Sequence, residues 1–515
     1  MSNDVCFFLY QKDFTEKDQD KYFLLEGTEF KEVTAGYLVG LDCYLVTHDY
    51  WLIAPSIYKS KSELPKKVID VVLLSKILSG TKAISGDAQP WDIVKTIKPL
   101  FTDSTDFDKY MDMFYRREEL DLDIYMLFSH KLSEFYESCA ETAANLGEWK
   151  RFISLEVPVF NTLTTTVCRG IPVDKNVVRA HKESIENDYY RTLKSFAEKH
   201  DVHYELPSDG YIKEKLTELG YDTEGYDLDF LIEFFPSIKN YTNDLRALQK
   251  IASSLRLFNS ISVQAKRLHP IVESHWTSTS RIYYKSPAIQ NMSKKYRDIF
   301  TADGIKKVAY VDYDQFEVGV MASLSEDPFM LDIYKRSDAY TELAQTALGD
   351  VNKRKDAKKL FLSFTYGMSL KNILKAVQEM GGSKTKAKLF FLSFTRFQEW
   401  KESIWEKFEK DRKISTIDAN YLNRISEGEL SEREKRVAVN HVIQGTATYI
   451  FKSALLDIAK IEDIEILIPM HDAVFFQFTR SESPTLVKDL FEKNMSNILT
   501  NIEGRASIEN FFKQS

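Results

Sequence analysis

Two aspartates, Asp312 and Asp472, occupy positions from which carboxylates could bind metal ions. Asp312 follows the apolar run KVAYV, which predicts a strand that ends in an acidic turn. Asp472 lies between two apolar runs, and the sequence PMHD at that point predicts the turn of a β-hairpin. Magnesium prefers a few carboxylates together with waters and phosphates, and two such ions can support in-line phosphoryl transfer. Each aspartate alone is more typical of an ordinary turn, and their spacing does not show that they meet.

The segment Lys353–Ser369 predicts a helix with an unusual stripe. Arg354, Lys358, Leu362 and Tyr366 recur every four residues and therefore lie along one face. A core-facing stripe would be apolar throughout, whereas a solvent-facing stripe would not need leucine and tyrosine. Two cations followed by an apolar and an aromatic residue suit a nucleoside triphosphate, with the cations at the phosphates. The alternative is an amphipathic helix with a basic edge.

A second stripe has the same spacing and consists of Arg436, Asn440 and Gln444, followed by the small residues GTA. Hydrogen-bonding groups of this kind could follow the minor groove of a duplex, where acceptors are common to all base pairs. The neighbouring valines and isoleucine predict a mostly buried helix, which weakens the alternative of a solvated face.

In this order, the motifs resemble those of the family-A DNA polymerases, the group of bacterial DNA polymerase I. The family's palm motif DYSQIELR is matched by DYDQFEVG at Asp312–Gly319, and its fingers motif RxxxKxxxFxxxYG by Arg354–Gly367. The second stripe matches RxxxNxxxQGTA, and MHDA at Met470–Ala473 matches VHDE. Upstream, TSRI at Thr279–Ile282 and IQN at Ile289–Asn291 resemble TGRLSS and LQN.

The resemblance begins near Trp149 and implies an α+β and α/β multidomain protein. A right-hand polymerase of palm, fingers and thumb would follow a small α/β exonuclease-like domain. The expected units are 1–147 (degenerate 3′–5′ exonuclease-like), 148–270 (the approach to the palm, and the thumb), 271–335 (palm, first catalytic motif), 336–435 (fingers) and 436–515 (palm, last catalytic motif). The implied activity is template-directed addition of dNTPs to a primer 3′ end, without proofreading.

The resemblance also implies roles for individual residues. Asp312, Asp472 and the Tyr313 carbonyl would bind two Mg²⁺ ions, which Mn²⁺ could replace, and Lys358 would protonate the leaving pyrophosphate. Glu317 would lie under the sugar and exclude a 2′-hydroxyl. The full set of nucleotide contacts would be Arg354, Lys358, Leu362, Tyr366, Gln315, Glu317 and Tyr340. The contacts to primer–template DNA would be Arg281, Gln290, Asn291, Arg436, Asn440, Gln444 and His471.

Four positions depart from the family pattern. Ala473 replaces the acid after His-Asp, Leu362 replaces an aromatic residue, Gly319 replaces arginine, and Tyr340 stands where histidine is common. Because both aspartates and both cations of the first stripe are retained, we predict an active enzyme.

The N-terminal unit resembles the family's proofreading domain only in part. The segment Asp70–Leu78 is similar to a DTMLxxYxL helix, and ELDLD at Glu119–Asp123 is similar to the third exonuclease motif, with Arg117 in place of tyrosine. The DxE strand motif is absent, because the first strand reads CFFLYQK. With its carboxylates incomplete, the unit is predicted to lack hydrolytic activity. It would be retained for structure or for a protein partner.

Composition sets outer limits on these interpretations. With 515 residues, of which 43% are hydrophobic, the chain is predicted to form several folded units. Its four cysteines lie far apart without a CxxC pair, which favours reduced thiols and a cytoplasmic location. No apolar run is long enough to span a membrane, so no membrane partner is expected. The net charge of −8 argues weakly against nucleic acid, but the local placement of cations decides that question.

Two other functions remain open. A single-subunit RNA polymerase would share the helix spacing and the missing acid, although Glu317 argues against it, because RNA synthesis needs room for the 2′-hydroxyl. A catalytically idle nucleic-acid-binding protein would bind DNA tightly without synthesis. Among the elements, we expect strands at Val5–Tyr10 and Tyr37–Val46 and helices at Val68–Leu78 and Asp174–His200.

Overall fold

The computed structural model describes most of the chain, namely residues 5–15, 19–79, 96–218, 239–275 and 277–512. Within these ranges, no helix combines the length and the apolar character needed to cross a bilayer.

The N-terminal unit is built on a five-stranded mixed sheet with the order β3-β2-β1-β4-β5. Its strands are β1 (Val5–Gln11), β2 (Lys21–Glu26), β3 (Glu29–Val33), β4 (Tyr44–Thr47) and β5 (Val68–Asp70). The helices around it are α1 (Ala35–Gly40), α2 (Tyr50–Lys61), α3 (Val71–Ser79), α4 (Ser104–Phe114) and α5 (Leu122–Asn145). β1 pairs antiparallel with β2 and parallel with β4, which places it at the centre of the sheet.

Two expectations for this unit were wrong in part. The strand predicted at Tyr37–Val46 begins as α1, because the Thr34 hydroxyl accepts a hydrogen bond from the Tyr37 backbone N–H and caps a helix there. The helix predicted at Val68–Leu78 begins as β5, because its first residues pair with β4 at the buried edge of the sheet. The helical pattern takes over only at Val71.

A helical region follows and ends in two short strand pairs. Its helices are α6 (Trp149–Arg151), a π-helical turn (Phe152–Glu156), α7 (Val157–Arg169), α8 (Lys175–His200), α9 (Asp209–Glu218) and α10 (Lys239–Asn259). The strands are β6 (Ile171–Pro172), β7 (Arg267–Leu268), β8 (Ile271–Glu273) and β9 (Tyr283–Ser286), paired β6 with β7 and β8 with β9. The long helix predicted from Asp174 is confirmed as α8, whose N-terminus is capped by the Asp174 carboxylate.

The next part begins with a strand and continues mainly as helix. Short 3-10 turns at Ile289–Asn291 and Lys294–Ile299 precede β10 (Lys307–Tyr313). The helices are α11 (Phe316–Ser325), α12 (Pro328–Arg336), α13 (Ala339–Leu343), α14 (Arg354–Thr365), α15 (Leu370–Glu379), α16 (Lys384–Leu392) and α17 (Thr395–Asp411). A small hairpin of β11 (Lys413–Ser415) and β12 (Tyr421–Asn423) leads into α18 (Glu432–Ala459).

A four-stranded antiparallel sheet with the order β13-β14-β10-β15 carries both candidate aspartates. Its other strands are β13 (Glu465–Pro469), β14 (Ala473–Phe478) and β15 (Ala506–Glu509), and helix α19 (Ser483–Ile498) connects β14 to β15. The predicted hairpin is confirmed, because β13 pairs antiparallel with β14 across the turn that contains Asp472. Alternate side chains of β10 pack into two different hydrophobic cores. Val311 and Tyr313 lie in the larger core, and Tyr310 lies in the smaller core. Asp312 shares the face of Tyr310 because strand side chains alternate.

Candidate active site

The central sheet brings the two aspartates together. In the pairing of β10 with β14, Asp312 stands opposite Ala473, the residue that follows Asp472. The Met470 N–H donates to the Ala473 carbonyl at 2.7 Å and closes the hairpin turn. The Tyr313 N–H donates to the Asp472 carbonyl at 3.2 Å, so the turn is fixed against β10. These contacts supply the proximity that the sequence spacing could not show.

The pair is electrostatically strained. Burial, aided by the charges of Asp472 and Glu509, raises the pKa of Asp312 from 3.8 to about 8, while Lys358 opposes the rise. Burial also raises the pKa of Asp472, against the pull of Arg281 and Lys358. Asp472 is exposed to solvent at the tip of the hairpin, yet enough protein surrounds it for burial to be the main cause of its raised pKa. Both carboxylates therefore hold their negative charge at a cost that a cation would relieve.

The donor set fits a hard divalent cation. The Oδ1 atom of Asp312 is buried and has no hydrogen-bond partner, which is the state expected of a metal-binding oxygen. Within the described ranges, no cluster of three or more His, Cys, Asp or Glu side chains could by itself bind a metal. An ion here would need backbone, water or substrate oxygens beside the two carboxylates. Such a mixed oxygen shell suits Mg²⁺.

Glu509 was missed by the sequence analysis. It lies on β15 opposite Tyr310, close enough to raise the pKa of both aspartates. Its carboxylate meets Lys294 at 3.4 Å. An isolated glutamate in a C-terminal strand carries no motif, so only the strand pairing could have revealed it.

Helix α14 aims its cations towards the same end of the sheet. Arg354 and Lys358 are both exposed, and they lie 5.4 Å and 5.5 Å from the centre of the Tyr340 ring. The Arg354 guanidinium also forms an ion pair with Asp338. Burial and the nearby carboxylates raise the pKa of Tyr340, so its hydroxyl stays neutral. Leu362 is half-buried on the next turn of the helix.

The far end of the stripe differs from a regular helix. α14 ends at Thr365, so Tyr366 is its C-cap rather than a helical residue. Gly367 has φ +98°, and a Cβ atom there would lie 2.7 Å from Cγ of Arg436. The chain therefore needs glycine at this position to turn beneath α18.

A set of polar side chains lies between this turn and the aspartates. Glu317 accepts from Arg281 at 2.9 Å. Burial, followed by the nearby Glu317 carboxylate, raises the pKa of Tyr366 far above its ordinary value, and Gln444 opposes the rise. His471, at the exposed tip of the hairpin, has its pKa lowered by burial and by Arg281. The structure thus gathers these predicted residues around one end of the sheet.

The other predicted contacts are more dispersed. Asn440 has a buried Oδ1 without a hydrogen-bond partner. Gln290 donates through Nε2 to the Tyr284 carbonyl at 3.1 Å, while its Oε1 is buried and unpartnered. Asn291 is exposed and lines a large cleft, and Arg436 is exposed on α18.

Gln315, predicted to contact the nucleotide, is occupied elsewhere. Its Nε2 donates to the Ser337 carbonyl at 3.2 Å, and its Oε1 accepts from the Ala339 N–H at 2.8 Å. The side chain therefore secures the loop that leads to Tyr340.

The cleft beside the site is strongly basic. It has a volume of about 1320 Å³ and is lined by residues of α8, α10 and the region around β9. Its charged lining residues are Arg191, Arg246, Lys250, Arg256, Lys285, Lys295, Lys359 and Asp188. The lining thus contains seven cationic side chains and one acidic side chain. Although the whole chain has a net charge of −8, this surface is suited to binding a polyanion. Most of these residues form no sequence motif, because they come from separate segments of the chain.

The acids of the N-terminal unit are engaged in local structure. Asp70 accepts from the Tyr50 and Val72 N–H groups, each at 2.9 Å, and burial raises its pKa to about 6. Asp121 caps α5 by accepting from the Asp123 N–H at 2.9 Å. These bonds give both acids a structural role.

Comparison with known proteins identifies relatives of this chain. Among curated relatives, DNA polymerase theta of Caenorhabditis elegans is 32% identical over 216 residues, which are 39% of this chain and 13% of that protein. DNA polymerase I of Borreliella burgdorferi is 26% identical over 397 residues, which are 69% of this chain and 43% of that protein. The chain thus spans less than half the length of either relative.

The fold has a close counterpart among solved structures. The POL domain of Pol1 from M. smegmatis, in complex with DNA primer-template and dNTP, superposes with a TM-score of 0.73 at 18% identity. The likeness covers 95% of this chain and 91% of that one, and it confirms the predicted right-hand fold. The sequence model of DNA polymerase family A matches residues 190–508, more than half of the protein, so this chain belongs to DNA polymerase family A.

Proposed function

We propose that this chain is a template-directed DNA polymerase that adds dNTPs to a primer 3′ end. The observation that carries the proposal is the strained pair of Asp312 and Asp472, with Lys358 close to both. The basic cleft and the family membership support it. The solved POL domain of Pol1 from M. smegmatis is in complex with DNA primer-template and dNTP, and we assign the same partners to this chain.

In this proposal, Asp312, Asp472 and the Tyr313 carbonyl bind two Mg²⁺ ions, which Mn²⁺ could replace. When bound, the ions stabilise the attacking and leaving oxygens of the phosphoryl transfer. Lys358 lies close to both carboxylates, where it can neutralise the triphosphate and donate a proton to the leaving pyrophosphate. Arg354 exchanges Asp338 for a phosphate oxygen.

The remaining assignments concern the sugar, the base and the DNA. Glu317 lies under the sugar, with Leu362 and Tyr340 beside it, and Tyr366 lies next to the template base. The proposed DNA contacts are Arg281, Gln290, Asn291, Arg436, Asn440, Gln444 and His471. Gln315 acts through the loop that it secures, which supports Tyr340.

We keep the predicted unit boundaries, 1–147, 148–270, 271–335, 336–435 and 436–515, as part of the proposal. The N-terminal unit serves structure or a protein partner rather than hydrolysis. The four cysteines are free thiols, which supports a cytoplasmic location.

A primer-extension assay tests the proposal. A labelled primer–template is incubated with Mg²⁺ and either dNTPs or NTPs. We expect extension with dNTPs that disappears in Asp312→Asn and persists in Asp314→Asn, a control whose carboxylate accepts from Ser507 at 2.8 Å. Extension with NTPs alone would favour an RNA polymerase. Tight DNA binding without any synthesis would favour an idle binding protein.

The predicted loss of proofreading has a separate test. A labelled single strand incubated with the protein and Mg²⁺ should keep its 3′ end. Degradation that stops in Asp121→Ala would show that the N-terminal unit is an active nuclease.

A further inference from the structure

Ser280 has a backbone conformation that serine rarely adopts. Its φ is +59°, in the left-handed region that favours glycine. It lies in the TSR motif at Thr279–Arg281, which resembles a family motif with glycine at this point. A glycine would reach this conformation with less strain. The serine side chain therefore needs a compensating interaction.

The Ser280 hydroxyl has three buried partners. It donates to Oε1 of Glu156 at 2.7 Å and accepts from Nζ of Lys452 at 2.6 Å. The third partner is Nδ1 of His275 at 3.0 Å. Burial lowers the pKa of His275 to about 3, so the ring is neutral and can present an N–H to the serine. The Ser280 hydroxyl then donates one hydrogen bond and accepts two, which is its full hydrogen-bonding capacity.

The cluster that receives this hydroxyl is firmly anchored. Glu156 and Lys452 are both fully buried and form an ion pair at 2.7 Å. Arg151 adds a second cation to Glu156, and Lys452 also donates to the Ser274 carbonyl at 2.8 Å. The partners come from the π-helical turn before α7 and from α18. Ser280 is thus tied to parts of the fold 124 and 172 residues away in the sequence.

The same short turn presents a proposed DNA contact. The Ser280 N–H donates to the Thr277 carbonyl at 2.8 Å, and Asn420 donates to the Ser278 carbonyl at 2.8 Å. The side chain of the next residue, Arg281, is half-buried and meets Glu317 at 2.9 Å. The buried hydroxyl and the guanidinium beside Glu317 therefore belong to neighbouring residues on one fixed piece of backbone.

We propose that Ser280 is a positioning residue whose hydroxyl, held by Glu156 and Lys452, fixes Arg281 for contact with the primer–template. The inference rests on the proposed function, since it names a determinant of DNA binding at that site. Ser280 itself does not touch DNA. Its effect is transmitted through the backbone to Arg281.

The test compares Ser280→Gly, Arg281→Ala and the double variant. Glycine keeps the backbone conformation accessible and removes only the side chain, and the Glu156–Lys452 pair remains. Ser129→Ala is the control, because it also removes a fully buried hydroxyl, in α5 of the N-terminal unit. Primer–template affinity is measured by fluorescence anisotropy without nucleotides. KM and kcat are measured by primer extension. Backbone mobility is measured by hydrogen exchange of a peptide covering 277–283.

We expect Ser280→Gly to weaken primer–template binding by about tenfold, the effect of one charge-assisted hydrogen bond. The KM for DNA should rise, kcat should change little, and exchange at 277–283 should accelerate. In the Arg281→Ala background, Ser280→Gly should have no further effect on binding, because the two act through one contact. Ser129→Ala should leave binding unchanged.

Additive losses in the double variant, or unchanged exchange at 277–283, would overturn the inference. Unchanged primer–template binding in Ser280→Gly would also overturn the inference. In that case the proposed function would still stand, provided that the wild type extends primers. A wild type that extends nothing would instead contradict the proposed function. The exchange measurement would still decide whether Ser280 fixes this turn.

Discussion

Replacing Asp312 with asparagine should stabilise the metal-free protein while abolishing synthesis. In the folded protein the pKa of Asp312 is raised from 3.8 to about 8. A raised pKa in an acid means that the folded state holds a proton that the unfolded state releases. Stability therefore falls as the pH rises from about 4 to about 8. Asparagine mimics the protonated carboxyl and removes this loss.

The size of the effect follows from the pKa. Each tenfold change in proton affinity corresponds to about 1.4 kcal/mol, so the full difference would be about 6 kcal/mol. Asp472 is exposed to solvent and shares the repulsion, so we expect a gain of about 1–2 kcal/mol at pH 8.5. For a protein of this size, that gain corresponds to a rise of roughly 1–3 °C in Tm.

Thermal unfolding in EDTA at pH 6 and pH 8.5 provides the assay. Asp312→Asn should raise Tm at both pH values, but only about half as much at pH 6 as at pH 8.5, because the unfolded wild type is ionised throughout this range while the folded carboxyl keeps its proton up to about pH 8. Asp303→Asn is the matched control. The Arg267 guanidinium lowers the pKa of Asp303, so its loss should reduce Tm at both pH values. A Tm gain of equal size at both pH values, or a loss at pH 8.5, would refute the raised pKa of Asp312.

Three further predictions concern the same site. Glu317→Ala should raise NTP incorporation relative to dNTP incorporation by roughly tenfold, because the carboxylate that excludes a 2′-hydroxyl is gone. An unchanged ratio in a competition assay would show that Glu317 does not have this role. Gly367→Ala should lower the free energy of unfolding, measured by thermal unfolding, by about 1–3 kcal/mol, because φ is +98° and the new Cβ would meet Arg436. An unchanged stability would mean that the turn is free to shift. The apparent affinity for Mg²⁺, measured by titration, should fall by up to about tenfold for each pH unit below 8, since protons compete for Asp312, and a flat profile would contradict its raised pKa.

Local patterns in the sequence predicted much of the site. The hairpin around Asp472 could be predicted because two apolar runs flank a short turn, and the capped helix from Asp174 because its start signal and periodicity coincide. The stripe of α14 was also readable, although its last member, Tyr366, turned out to cap the helix.

Contacts between distant segments could not be predicted. Two of the three partners of Ser280, Glu156 and Lys452, are more than a hundred residues away, and nothing in the sequence around them links them to Ser280. Glu509 reaches the aspartates only through the pairing of β15 with β10. The first part of the strand expected at Tyr37–Val46 is helix for a local reason, since the Thr34 cap starts α1 there, whereas Tyr44–Val46 do lie in β4. Sequence patterns report the preferences of single elements, whereas the site depends on how those elements meet.

The central claim is that Asp312 and Asp472 together support templated nucleotidyl transfer. The most direct measurement is single-nucleotide incorporation opposite each of four template bases, with Mg²⁺, by the wild type, Asp312→Asn and Asp472→Asn. We predict that the wild type adds the complementary dNTP at each template base and that either substitution lowers incorporation by at least about a thousandfold. Incorporation that ignores the template, or that survives the loss of either aspartate, would contradict the account.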